Sequence, residues 1–264
     1  MKIIVNCGPC EEYIVQSLAS IKAQTHRNWE AYVTVDPCGD KTLERAMDVA
    51  RNDERISVVR NDRRLYSLAN LVNAISRSSA QPEDVIVNLD GDDSFYSENA
   101  LQTIADTYAT RDCWLTYGSW ISHVAYTAGK FPAYPENTID FRSSEWLATG
   151  VRTFKKWLWD LIDLDDLKDE QGDYFQVAED LAVMFPMLEM SGTSKATKIP
   201  DILMLYNRTD PARMEESKRN EIERVWRYLR SKPRYPLLKN KIVGQPDSNL
   251  INRSDLMPSG DGAF

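Results

Sequence analysis

VIVNLDGDDSF, residues 85–95, is an apolar run that ends in acid. Val85–Leu89 has the length and β-branched content of a buried strand. Asp90, Asp92 and Asp93 follow at once, so they stand at the strand's C-terminal end. In open α/β sheets that end is where ligands bind. Three carboxylates this close repel one another unless something positive lies between them. A hard divalent cation with oxygen ligands, Mg²⁺ or Mn²⁺, meets that need. A second reading stays open on these residues alone: Asp-Gly is turn chemistry, and acids ahead of a helix cap it.

Around this stretch, strand and helix patterns alternate. Lys2–Val5, Trp29–Val35, Ile56–Val59 and Trp114–Tyr117 read as strands. Between them, Glu11–Ala23, Asp40–Ala50, Leu65–Ile75 and Asn99–Tyr108 carry apolar residues at helical spacing. The alternation predicts an α/β protein with a mostly parallel twisted sheet covered on both faces. After Gly118 the rhythm changes. Ile121–Asn137, with Gly129, Pro132 and Pro135, reads as an irregular excursion. Phe154–Ile162 reads as an aromatic-rich helix, followed by an acidic loop and a helix starting near Glu179. Ile202–Tyr206 reads as a late strand and Met214–Leu229 as a long charged helix. Residues 242–264 are polar, with little periodicity, and are expected to be a weakly ordered tail.

The chain of 264 residues carries a net charge of −8, unevenly spread. That sign argues against general nucleic-acid binding. Lys218–Lys241 holds nine Lys/Arg and two Glu, a net of +7, while Asp160–Asp180 holds nine acids and one Lys, a net of −8. The basic segment could face an anionic partner, or it could be a solvated helix face balanced by the acidic one. No apolar run approaches a membrane span, and MKIIVNCG lacks the layout of a secretory signal, so a cytoplasmic protein is expected.

Cys7-Gly8-Pro9-Cys10 spells the active-site tetrapeptide of thioredoxins, between a strand and a helix. A helix N-terminus there would lower the pKa of Cys7 and make a thiolate available, which gives the alternative function of a thioredoxin-like thiol oxidoreductase. Against it, Asn6 stands where thioredoxins carry Trp, the strand is the first element, and the acids at 90–93 have no role in dithiol exchange. The other reading makes Gly8 and Pro9 the shapers of a tight strand-to-helix turn whose backbone N–H groups can approach a nucleotide.

Four segments in order resemble the family 2 glycosyltransferases of GT-A fold. They are SLASIKAQTHRNWEAYVTVD (Ser17–Asp36), NLVNAI (Asn70–Ile75), LDGDD (Leu89–Asp93) and AEDLAVMFPML (Ala178–Leu188). The likeness runs from residue 2 to about 210. The first loop departs from the family pattern: it reads Asn6-Cys7-Gly8-Pro9, without the aromatic that can stack on a base.

The resemblance implies a Rossmann-like GT-A domain over 1–210, with a nucleotide-binding half at 1–118 and an acceptor-binding half at 119–210. A basic helical extension follows at 211–241. It implies an inverting enzyme that moves a sugar from a nucleoside-diphosphate donor, a UDP-sugar, to a hydroxyl of a glycan, lipid-linked sugar, protein or modified DNA base. Asp92 and Asp93 would hold Mn²⁺ or Mg²⁺. Asn6, Gly8, Asp36, Asn73 and Asp90 would bind the nucleotide, and Asp180, with Glu179 beside it, would be the general base. His123 and Arg208 are lesser candidates. Trp146, Trp157 and Trp159 could make a sugar platform, but at helical spacing they read better as core.

Overall fold

The computed structural model describes residues 1–122, 128–129, 131–207 and 215–242. His123, Arg208 and the tail from 243 onward lie outside the described residues. Strand β1 (Lys2–Cys7) lies between β2 (Glu30–Val35) and β4 (Val85–Asp90), and β3 (Ile56–Arg60) pairs with β2. These four strands are parallel, and the helices α1 (Ile14–Lys22), α2 (Thr42–Ala50) and α3 (Tyr66–Arg77) make the crossovers. The expected alternation is therefore present in this half. A short β5 (Ser94–Phe95) and α4 (Ala100–Thr110) follow.

Beyond β4 the sheet becomes mixed. It adds β6 (Leu115–Ser122), β7 (Ala128–Gly129), β8 (Thr149–Lys155) and β9 (Ala196–Tyr206), and its strand order is β3-β2-β1-β4-β8-β6-β9-β5, with β7 paired to β6. Strand β8 (Thr149–Lys155) is antiparallel to both β4 and β6. It replaces the first part of the helix expected at Phe154–Ile162; only the single turn α5 (Lys156–Trp159) is helical there. The spacing of Phe154, Trp157 and Trp159 misled because the three rings pack in one core from two different elements. Phe154 and Trp159 stack at 5.9 Å, and Trp114 meets Trp157 edge-on at 4.9 Å.

Helix α6 (Glu179–Lys195) has no polar face. Every residue from Leu181 to Gly192 is buried, so it runs through the interior. It leads directly into β9 (Ala196–Tyr206), longer than the late strand expected and parallel to β6. Helix α7 (Glu216–Ser231) lies over α6 and buries only Val225 and Leu229. A buried ion pair fastens this extension. Arg142 meets Glu189 on α6 at 2.5 Å, and Glu189 also accepts the Tyr235 N–H at 2.9 Å. The cations that follow are largely spent on the fold: Arg230 donates to the Ser144 carbonyl, Lys232 to that of Asp166, and Arg234 pairs with Asp140. Part of the basic segment is thus tied into the fold. No helix among the described residues is long and apolar enough to cross a membrane.

Candidate active site

Strand order lays the site out along one edge of the sheet. Asp36 follows β2, Asn6 lies near the end of β1, Asp90 ends β4, Arg152 comes from β8, and Trp120 and Tyr206 come from β6 and β9. Asn6 pairs in register with Asp90 and Thr34, so these ends are level. Asp36, Asn6, Asp90, Arg152, Trp120 and Tyr206 all line one cavity of about 730 Å³. Polar groups stand at its β2 end, acids in the middle and aromatic rings at its β9 end.

At the β2 end, Asp36 is buried and already busy. Its Oδ1 accepts from Asn61 (2.8 Å), the Leu65 N–H (3.0 Å) and Asn70 (3.2 Å); its Oδ2 accepts from the Tyr66 N–H (2.9 Å). Burial opposes the charge, but these donors outweigh it and hold the carboxyl below its usual range. Gly8 lines the same end. Asn73 does not: it is exposed on α3, and Asn70, one turn earlier, is buried beside Asp36 and lines the cavity.

The acidic turn is built tightly. The Gly91 N–H donates to the Asn6 carbonyl at 2.9 Å, and the Asp93 N–H to that of Asp90 at 3.0 Å. Asp93 Oδ1 accepts the Asn207 N–H at 2.8 Å, and β5 then pairs with β9. Gly91 is required by close approach: a Cβ there would lie 2.4 Å from Cys7 Sγ and 3.1 Å from Cys10 Sγ. Burial, then the charge of Asp90, pushes Asp92 up to about 6. Burial and the Asp90 and Asp92 charges push Asp93 well above its usual value. Asp90 is raised by burial and Asp180 against the pull of Arg152. These are hard oxygen donors crowded without enough positive charge, a donor set suited to Mg²⁺ or Mn²⁺. Among the described residues, no three His, Cys, Asp or Glu side chains gather to hold an ion by themselves.

Across β4 stand two residues that the sequence reading missed, Asn88 and Arg152, beside three that it named, Asn6, Glu179 and Asp180. Asn88 and Arg152 are cross-strand neighbours. Asn6 Nδ2 donates to Asn88 Oδ1 (3.3 Å), and Asn88 Nδ2 donates to Glu179 Oε1 (2.8 Å). Arg152 lies 3.8 Å from Glu179 Oε2. Burial opposes its charge, but Glu179, Asp180, Asp90 and Asp93 outweigh that and raise its pKa. Glu179 is pushed up to about 8, by burial first, with Asp90 and Asp180 adding to it against Arg152 and Asn88. Both acids open α6, where the helix dipole favours negative charge. Ala178, just before them, holds a left-handed φ of 58°. Asp180 is half-buried, and its Oδ1 accepts the Leu181 N–H at 3.0 Å. One signal for Asn88 was available: it is the lone polar residue in the run Val85–Leu89. Arg152 had none, because its strand was not read as one.

At the β9 end, Trp120 contacts Tyr206 at 5.0 Å and Phe131 at 6.4 Å. Trp146 lines the cavity, as do Lys218 and Trp226 from α7. Trp157 and Trp159 are buried in the core and take no part in the cavity's lining.

The thiol alternative gains nothing from the geometry. Cys7 and Cys10 are buried. A hydrogen bond with Cys10, then burial, then the nearby acids push Cys7 well above a thiol's usual pKa, the opposite of what a thiolate nucleophile needs.

Residues 3–159 match the family model described as Glycosyl transferase family 2. EpsE of Bacillus subtilis (strain 168) is 27% identical over 106 residues, which are 40% of this chain and 37% of EpsE. Among solved structures, S. aureus TarS 1-349 in complex with UDP-GlcNAc matches with a TM-score of 0.62 at 16% identity, over 86% of this chain and 65% of that one. The mannosyltransferase PcManGT from Pyrobaculum calidifontis, in complex with GDP-Man and Mn²⁺, matches with a TM-score of 0.55 at 16% identity, over 83% and 59%. The likeness thus spans less than two thirds of each of these proteins, and at such identities the structural matches speak for the GT-A fold alone.

Proposed function

The chain belongs to glycosyl transferase family 2, and on that premise we propose that it moves a sugar from a nucleoside-diphosphate donor to an acceptor hydroxyl, with inversion. One observation carries this reading. A single cavity presents, in order along the sheet, polar groups, an acidic turn, a carboxylate pair at a helix start, and an aromatic end. Donor, leaving group, base and acceptor need that sequence of surroundings.

The nucleotide would lie against Asn6, Gly8, Asp36, Asn70 and Asp90, in the half formed by residues 1–118. Asp36 Oδ2 accepts one bond from the chain and has a lone pair to offer. Asp92 and Asp93 would hold a divalent cation together with phosphate oxygens. When bound, such an ion offsets the charge that the diphosphate gains as the anomeric C–O bond breaks. Arg152, among the acids, adds fixed positive charge from the chain itself.

The acceptor would enter over Trp120, Trp146 and Trp226, in the half formed by 119–210 with α7 as its outer wall. Its hydroxyl needs a base on the face opposite the leaving group. Asp180 is the better placed of the two acids, being half-buried where Glu179 is buried, braced by Asn88 and beside Arg152. Glu179, pushed up to about 8, is the less suited of the two to take a proton near neutrality.

The test is a thermal-shift and calorimetric screen of UDP, GDP, ADP and their sugar conjugates, with and without Mn²⁺. At least one nucleoside diphosphate should stabilise the protein in a metal-dependent way. If none does, the donor assignment is wrong.

A further inference from the structure

Tyr66 holds a φ of +63° at the start of α3. A bulky residue in that left-handed region costs free energy, and it persists only where its surroundings over-determine it. Asp36 supplies the constraint. It takes the N–H groups of both Leu65 and Tyr66, at 3.0 and 2.9 Å. Asn61 and Asn70 donate to the same carboxylate, and Asn61 also donates to Asn70 Oδ1 at 2.6 Å. A buried acid and two amides thus brace one strained corner.

What the corner delivers is a ring that the fold does not use for packing. Tyr66 belongs to neither hydrophobic core; it is half-buried and lines the cavity at the β2 end. The Arg64 guanidinium lies over that ring, 4.5 Å from its centroid, and lines the cavity too. The other rings lining the cavity belong to β6, β9, α7 and the segments before β8, beyond the acids. The first loop, Asn6–Pro9, contributes no aromatic.

We propose that Tyr66 and Arg64 form the platform on which the donor's nucleobase stacks, with Asp36 as the positioning residue that holds Tyr66 in place. This rests on the donor reading above. A guanidinium lying on a phenol is a planar stack that a flat heteroaromatic base extends, and every base has a π-face to offer it. The strain at residue 66 is the cost of aiming the ring into the cavity rather than into the core.

The experiment is calorimetry in Mn²⁺ with two ligands: the tightest-binding of UDP, GDP and ADP, and inorganic pyrophosphate, which has no base. Tyr66→Ala should weaken the nucleotide by about tenfold or more, the loss expected for removing an aromatic under a base, and leave pyrophosphate within about twofold. Tyr66→Gly accepts the left-handed backbone freely, so it must match Tyr66→Ala. Tyr66→Phe should keep nucleotide affinity, and Arg64→Ala should weaken nucleotide alone. Equal losses for both ligands, or no loss, overturn the platform. Wild-type protein that binds neither ligand overturns the donor reading and the platform with it; wild-type binding with an unaffected Tyr66→Ala overturns the platform alone.

Discussion

Glu179 is a buried carboxyl whose pKa is pushed up to about 8 from an ordinary 4.5, and that makes it measurable without knowing any substrate. An acid whose pKa is higher folded than unfolded binds its proton more tightly in the folded state. Its contribution to stability is whole below about 4.5 and is lost as pH rises towards about 8. At 1.36 kcal/mol per pH unit, that interval is worth about 5 kcal/mol. Asp90 titrates in the same field and shares the effect, so a loss of about 2–5 kcal/mol is expected. Glu179→Gln keeps the shape and the acceptor for Asn88 but has no proton to lose. Urea unfolding of both proteins from pH 5 to 8.5 gives the comparison. Asp92 and Asp93 titrate in both, so the difference between the curves isolates residue 179. Wild type should lose about 2–5 kcal/mol more than the variant over that range. Curves that stay parallel would refute the claim that Glu179 is held neutral by burial, and with it the assignment of the base to Asp180.

Asp180→Asn should bind a donor nucleotide as wild type does yet lose transfer by about a hundredfold or more, the usual worth of a general base; loss of nucleotide binding in calorimetry would make Asp180 structural instead. Gly91→Ala drives a methyl into Cys7 Sγ, 2.4 Å away, and should cost about 1–3 kcal/mol in urea unfolding; adding Cys7→Ala should recover most of it, and no recovery would show the clash lies elsewhere. Replacing both Cys7 and Cys10 by Ala should leave sugar transfer within about threefold, whereas a thiol enzyme would lose all activity. Glu189→Ala leaves Arg142 buried without its partner and should destabilise by about 3–5 kcal/mol; if α7 is anchored there, limited proteolysis will cut the extension first.

The parallel half of the sheet was legible in the sequence because each strand ends at a turn signal and each helix carries its own apolar stripe. Asp90, Asp92 and Asp93 were legible for the same reason: an apolar strand cannot continue through three acids. Glu179 and Asp180 were found by resemblance, as acids opening a helix look alike whether they cap it or catalyse. Local pattern could not reveal β8. Its burial comes from β4 and β6 on either side, and the three rings around it come from two elements rather than one helix face. With β8 unread, Arg152 was invisible, although it is the cation that sits among the acids. Tyr66 was equally hidden, since a left-handed φ imposed by a carboxylate thirty residues earlier leaves no trace in a helical pattern. The chain by itself determined where the strands end in acid. The tertiary structure decided which positive charge meets those acids and which ring faces the cavity, because both depend on pairs that only folding brings into contact.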